Sequence, residues 1–279
     1  MRDFKIGVIV DSFRIDHKTA IKKAAALGAS GIQVFATFGD LAPENVTTEK
    51  IKNFRSMCAE SNLAISAVGG DLGKGFTNPN LNPELISKSK KIMDIAKELG
   101  SDIVTTHIGV VPEDNTADTY KIMQEACYNL ATYADSIGSK FAVETGPEKA
   151  DVLASFLDSL NSTGVSVNLD PANLVMCIGD DPVKAVYTLK KYIVHTHAKD
   201  GKMLRPTDTK ILYDNIEKEI EAGASFIELP LGQGNVPWDD YLNALDDIGY
   251  KGYLTIEREV GENPEVDIKR AVDFLKEKI

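Results

Sequence analysis

Short runs rich in β-branched and aromatic residues recur along the chain. Each is followed by a polar or glycine-bearing break and then by a stretch whose apolar positions fall at helical spacing. The runs are FKIGVIV from Phe4, GIQVFA from Gly31, AISAVGG from Ala64, DIVTTHIG from Asp102, FAVETG from Phe141, VSVNLD from Val165, IVHTHAKD from Ile193 and YLTIERE from Tyr253, eight in all. Helical patterns lie between them, such as HKTAIKKAAALG from His17 and NPELISKSKKIMDIAKELG from Asn82. In the latter, Asn82 and Pro83 are placed as N-cap and first-turn residue and Gly100 as C-cap. Several helical stretches close on Leu-Gly or Ile-Gly, at Gly28, Gly100, Gly138 and Gly249, just ahead of the next strand, as short helix-to-strand connections require.

Eight strands alternating with helices predict a (β/α)8 TIM barrel forming a single domain over residues 1–279, in preference to an open doubly wound sheet. No GxGxxG pattern opens the first helix, which disfavours a dinucleotide-binding fold further. The stretch between the seventh and eighth strands is longer than one repeat needs. It holds a helical pattern near Thr209 to Ala222 and the segment FIELPLGQGNVPW from Phe226 to Trp238, and it reads as an elaborated loop at the active-site end.

Composition narrows the partners. An apolar content of 43% over 279 residues suffices for a large core. A net charge of -11 and a pI near 4.9 oppose nucleic acid or an anionic membrane surface as the main partner, since both need a basic footprint. The start MRDFKIGVIVDSF fits a first strand and carries neither a signal-peptide cleavage pattern nor an apolar span of about 18 residues, so a cytoplasmic protein is expected. Cys58, Cys127 and Cys177 form no CxxC pair and are expected to be reduced and buried.

The chemistry sits on the strands, where residues two apart share a face. In VSVNLD, Val165, Val167 and Leu169 face one way and Ser166, Asn168 and Asp170 the other. FAVE separates Phe141 and Val143 from Ala142 and Glu144, and YLTIE separates Leu254 and Ile256 from Tyr253, Thr255 and Glu257. The seventh strand sets Val194, Thr196 and Ala198 opposite His195, His197 and Lys199. With the apolar series packed on the outer helices, Glu144, Asp170, His197 and Glu257 point inward at the C-terminal ends of adjacent strands, where barrel active sites are built. Each has an ordinary alternative: Asp170 as a helix cap before Pro171, the two glutamates as rim ion pairs, His197 as a hydrogen-bonded core residue. Chance then has to place all four on one face at four neighbouring strand ends. Three carboxylates and one imidazole in a confined space call for a cation, and the oxygen-rich set suits Mn2+, taken first, or Mg2+, Co2+ or Zn2+.

At these residues the sequence resembles the sugar phosphate isomerase/epimerase superfamily of xylose isomerase-like TIM barrels. VETGPE, NLDPANL, HTHAKDG and GQGNVPWDDYLNALDDIGYKGYLTIERE carry the resemblance, which spans nearly the whole chain. It implies that Glu144, Asp170, His197 and Glu257 are metal ligands. Asn173 stands where many epimerases of the superfamily have a histidine, and can hydrogen-bond a substrate hydroxyl without titrating. His107 in TTHIG matches a histidine common near the substrate, and Arg205 is a weak counterpart of an arginine that epimerases place after the seventh strand.

The expected activity is isomerisation or epimerisation of a sugar or sugar phosphate, by proton abstraction and return through an enediolate, with Glu144 and Glu257 as the catalytic pair. Lys199 is expected to orient a substrate oxygen or phosphate, with a rim pair between Lys199 and Asp200 as the alternative, and Trp238 to cover the substrate, with core packing as its alternative. A lyase or dehydratase acting by β-elimination on an inosose or keto-sugar starts with the same proton abstraction, and a non-catalytic sugar-binding protein is a third reading. An endonuclease IV-like enzyme needs more histidines than the four present. The expected partner is a small carbohydrate, with no nucleic acid and no membrane; dimers are common among the barrels it resembles, which leaves a homo-oligomer open.

Overall fold

The structure, a computed structural model, describes residues 2–214 and 223–279. Eight parallel strands close into a barrel in the order β1 (Lys5–Ile9), β10 (Tyr253–Ile256), β7 (Ile193–Ala198), β6 (Val165–Leu169), β5 (Lys140–Glu144), β4 (Ile103–Thr106), β3 (Ala64–Gly69) and β2 (Gly31–Phe35). Closure is made by β1 against β10, from Lys5 beside Tyr253 to Val8 beside Ile256. All eight sequence-predicted strands are present, but the seventh run divides. Its barrel strand ends at Ala198, and Asp200 opens β8 (Asp200–Met203), which pairs antiparallel with β9 (Phe226–Leu229). The elaborated loop is therefore a hairpin set on the C-terminal face. Of the expected helix near Thr209 to Ala222, the structure shows α8 (Thr209–Asp214); the rest lies outside the described residues.

The helices α1 (His17–Leu27), α2 (Thr48–Glu60), α3 (Asn82–Leu99), α4 (Asp118–Ile137), α5 (Ala150–Ser159), α7 (Pro182–Leu189), α9 (Trp238–Asp247) and α10 (Pro264–Lys278) follow barrel strands or the hairpin. Between β6 and α7 a single turn, α6 (Pro171–Asn173), runs into a π turn at Leu174–Ile178. Gly28, Gly100 and Gly138 end α1, α3 and α4 in left-handed backbone, as their positions predicted. The N-cap of α3 is a correction: Leu81 occupies it, and Asn82 is instead buried, its amide donating to the Phe76 carbonyl at 3.0 Å. That bond ties the preceding loop to the helix, a use of the side chain that a capping pattern does not reveal.

The expected sidedness of the strands holds. Val165, Val167, Leu169, Phe141, Val143, Leu254 and Ile256 are buried in the layer between barrel and helices. The inward series of β2, β4, β6 and β10 is polar where it meets the site: Gln33, Thr105, Asn168 and Thr255, all buried. They come from alternate strands, as one layer of a barrel interior does. Gly7 on β1 leaves room for this layer, since a Cβ there would stand 2.7 Å from Thr255 Oγ1. The strand register shifts between Ile32 and Gln33 and between Val167 and Asn168, and such irregularities re-aim side chains next to active sites.

Candidate metal centre

Glu144 ends β5, Asp170 follows β6, His197 lies in β7 and Glu257 follows β10, so the four occupy neighbouring strand ends on one arc of the barrel. All are buried, and one ligand atom from each lies within 4.8 Å of those of the others. His197 Nδ1 is 3.2 Å from Glu257 Oε2, 3.4 Å from Glu144 Oε1 and 3.6 Å from Asp170 Oδ2. Asp170 is a helix cap with one oxygen left over. Its Oδ1 caps the next turn, accepting from the N–H groups of Ala172 at 2.8 Å and Asn173 at 3.0 Å, while Oδ2 accepts no hydrogen bond. Glu257 Oε2 likewise accepts none, although the Lys199 ammonium pairs with it at 3.1 Å. Thr145 fixes the backbone of Asp170, its hydroxyl accepting from the Asp170 N–H at 2.8 Å and donating to the Asp170 carbonyl at 2.9 Å.

The imidazole of His197 is oriented from the barrel interior. Gln33 Oε1 accepts from Nε2–H at 3.1 Å, and the Gln33 amide in turn donates to Thr105 Oγ1 at 3.2 Å. Nδ1 is thereby turned toward the carboxylates. Asn168 donates to Glu144 Oε2 at 3.0 Å and accepts from His195 Nδ1–H at 2.9 Å, while Thr255 Oγ1 donates to His195 Nε2 at 2.9 Å. Burial and the neighbouring His197 push the His195 pKa well below the ordinary imidazole value, so this histidine stays neutral and structural.

Three buried carboxylates demand positive charge at their centre. Burial opposes a charged His197, but Glu144 and Glu257 outweigh it and raise the imidazole pKa well above its ordinary value. Burial works to raise the Glu257 pKa, and Lys199 and His197 overcome it, holding the carboxyl at about 2. Glu144 is lowered in the same way, His197 and His107 outweighing burial. Carboxylate oxygens without hydrogen-bond donors, facing a pre-oriented imidazole nitrogen, fit a hard or borderline divalent cation, which these four residues could hold.

A cleft of about 200 Å³ opens beside the cluster, bounded by His107, Glu144, Asn173, Lys199, Glu257 and Glu259 on its polar side and by Met176, Cys177 and Phe226 on its apolar side. His107 Nδ1 pairs with Asp71 at 3.0 Å and its Nε2 is 3.7 Å from Glu144 Oε1. Burial disfavours its charge, yet Glu144 and Asp71 push its pKa up to about 9. Asn173 Nδ2 donates to Glu144 Oε1 at 3.1 Å. Lys199 is buried between Glu257 and Glu259, so the expected alternative pair with Asp200 does not form.

Trp238 is also placed differently from the expected substrate cover. Its ring packs edge-on against Tyr241 and Phe274, and its indole N–H donates to Asp200 Oδ2 at 3.0 Å. The loop turns it inward because a buried aspartate there offers the partner the indole needs. Arg205 is bound to Thr207 Oγ1 and the Gly223 carbonyl, and it is absent from the residues bounding the cleft.

Sequence reasoning missed Gln33, Glu259 and the apolar wall. Glu259 was legible, being two residues beyond Glu257 in an alternating run. Met176 and Cys177 reach the cleft through the π turn, a feature frequent at functional sites and without a local sequence signature here.

The comparisons with known proteins agree with this architecture. A family model described as Xylose isomerase-like TIM barrel matches residues 21–278. The chain is 22% identical over 253 residues to fructoselysine 3-epimerase of Escherichia coli O157:H7, covering 88% of this chain and 86% of that protein. The crystal structure of a xylose isomerase domain protein from Planctomyces limnophilus superposes with a TM-score of 0.81 at 25% identity, covering 99% of this chain and 96% of that one. That of the probable 3-DHS dehydratase AsbF of Bacillus anthracis gives 0.77 at 17% identity over 98% and 99%, a likeness of fold alone.

Proposed function

The chain belongs to the xylose isomerase-like TIM-barrel family, and from that premise we propose that it is a divalent-metal-dependent isomerase or epimerase of a small keto-sugar. One observation carries the reading: Glu144 and Glu257 stand at the two ends of the β5-β6-β7-β10 arc and both turn a carboxylate oxygen to the same centre beside the cleft. A divalent cation held by Glu144, Asp170, His197 and Glu257, with Mn2+ the first candidate, supplies Lewis-acid polarisation of a substrate carbonyl when bound.

The chain's own groups then handle the proton. Glu257 is held ionised, so its carboxylate can take a proton from the carbon next to the carbonyl. On the Glu144 side, His107 Nε2 stands 3.7 Å from Oε1, near enough for an imidazolium there to serve as proton source for the return step. Return to the same carbon inverts it; return to the neighbouring carbon moves the carbonyl. Asn173 steadies Glu144 through its amide and cannot itself titrate. β-Elimination is the second reading, favoured by the place of His107 in the cleft wall beside Glu144, where its imidazolium could protonate a departing hydroxyl after Glu257 has taken the carbon-bound proton.

The test combines metal content with solvent exchange. Wild-type protein is expected to hold about one divalent ion per chain and to incorporate deuterium from heavy water into a ketose of a test panel. Asp170→Ala should lose the ion, and Glu257→Gln should lose exchange by at least about a hundredfold while keeping its fold. An unsaturated product would favour elimination, and full exchange by Glu257→Gln would end the two-glutamate reading.

A further inference from the structure

Among the described residues bounding the cleft, the basic side chains are His107 and Lys199, and each already faces carboxylates. Lys199 is the more telling. Its side chain is 5% exposed and lies between Glu257 on the inner side, at 3.1 Å, and Glu259 on the outer side, at 2.5 Å, whereas the Glu259 side chain is 61% exposed. Glu259 thus closes the solvent side of an ammonium that otherwise faces the cleft.

The backbone at Glu259 is anchored. The Glu259 backbone N–H donates to both oxygens of Glu228, at 3.2 and 3.3 Å, and Glu228 is gripped by Arg258, which also binds Asp267 at 2.9 Å. Arg258 lies between two residues of the cleft wall and is turned to the other side, so the strand end is clamped from behind while Glu257 and Glu259 face Lys199. The carboxylate at 259 already pairs with Lys199, and it would repel a substrate phosphate or carboxylate approaching that ammonium.

We propose that Glu259 is a specificity-determining residue that fills the Lys199 oxyanion position from within the chain and so restricts the cleft to substrates without a phosphate or carboxylate group. This rests on the reading of the cleft as the substrate site. A volume of about 200 Å³, walled on one side by Met176, Cys177 and Phe226, accords with a single uncharged sugar or cyclitol ring that presents a C–H face to the apolar side.

The test measures binding of inorganic phosphate by calorimetry to the metal-loaded wild type, Glu259→Gln and the double variant Lys199→Gln/Glu259→Gln. Loss of the carboxylate could strengthen phosphate held by the metal as well, and the double variant separates such a gain from one made at Lys199. Glu259→Gln is expected to bind phosphate at least about tenfold more tightly than wild type, and the double variant to lose that gain. Equal affinity in wild type and Glu259→Gln overturns the proposal, as does a gain that survives in the double variant. Should the double variant fail to fold, Lys199→Met/Glu259→Gln takes its place in the comparison. No turnover is needed, so failure of every ketose to exchange would count against the enzymatic reading while leaving this measurement intact.

Discussion

Glu148 shows how much one carboxyl can contribute outside the cluster of Glu144, Asp170, His197 and Glu257. It is buried four residues after Glu144; its Oε2 accepts from the Val111 N–H at 3.0 Å and its Oε1 has no hydrogen-bond partner. Burial raises its pKa to about 8, against the opposing effects of the Val111 N–H and His107. The folded chain therefore holds a proton between the ordinary glutamate pKa and about 8 that the unfolded chain has released. The contribution is fully present below pH 4 to 5 and declines as pH rises, levelling off above about 8, with a total loss of roughly 3–5 kcal/mol. Glu148→Gln should flatten the fall in urea stability between about pH 5 and pH 8, and parallel curves for the two proteins would show that Glu148 holds no such proton. No pattern in VETGPE marks Glu148 as buried, because its environment is made by the loop after β4 rather than by its neighbours in sequence.

At the scale of elements, the β8–β9 hairpin and the following loop turn about Asp200. Its Oδ1 accepts from the N–H groups of Gly201 at 2.8 Å and Val236 at 3.2 Å, and its Oδ2 from Gly232 N–H at 2.9 Å and Trp238 Nε1–H at 3.0 Å. Gly234 passes so close that a Cβ would stand 1.9 Å from Asp200 Oδ1, which explains the small residue in GQGN. Asp200→Ala leaves the buried donors of Gly201, Val236 and Trp238 unsatisfied and should destabilise the protein by about 3 kcal/mol in urea unfolding, with loosening of the hairpin that carries Phe226 into the cleft. Asp200→Asn should cost less, since one oxygen remains to accept. The sequence pattern marked this region as longer than one repeat needs. It did not show that KDG begins a strand, because the pairing of Asp200 with Leu229 is antiparallel and distant in sequence.

At the scale of the whole molecule, the barrel draws carboxylates from β5, β6 and β10 to one end, within a chain of net charge -11. A ligand that binds only the folded state stabilises it by mass action, by about 4 kcal/mol at a thousandfold excess over Kd. Adding a divalent cation to chelator-treated protein should therefore raise the melting temperature by several degrees, and Asp170→Ala should abolish the rise. An equal rise in the variant would place the ion elsewhere. Among the described residues no helix is long and apolar enough to cross a membrane, which matches the broken apolar pattern between strands.

Period-two alternation assigned Glu144, Asp170, His197 and Glu257 to one face before any fold was in view, because covalent geometry alone sends successive strand side chains to opposite sides. The glycine-ended helices and the eightfold repeat similarly prescribed the barrel, since each amphipathic unit must bury one face against its neighbours. Closure of the barrel settled what no local pattern carries. Gln33 orients His197 across 164 residues of chain, Glu259 rather than Asp200 pairs with Lys199, and Trp238 turns to the core instead of the cleft. These contacts join residues remote in sequence, so they exist only once the strands have assembled, and buried hydrogen-bonding groups then select whichever partners the assembled barrel brings within reach.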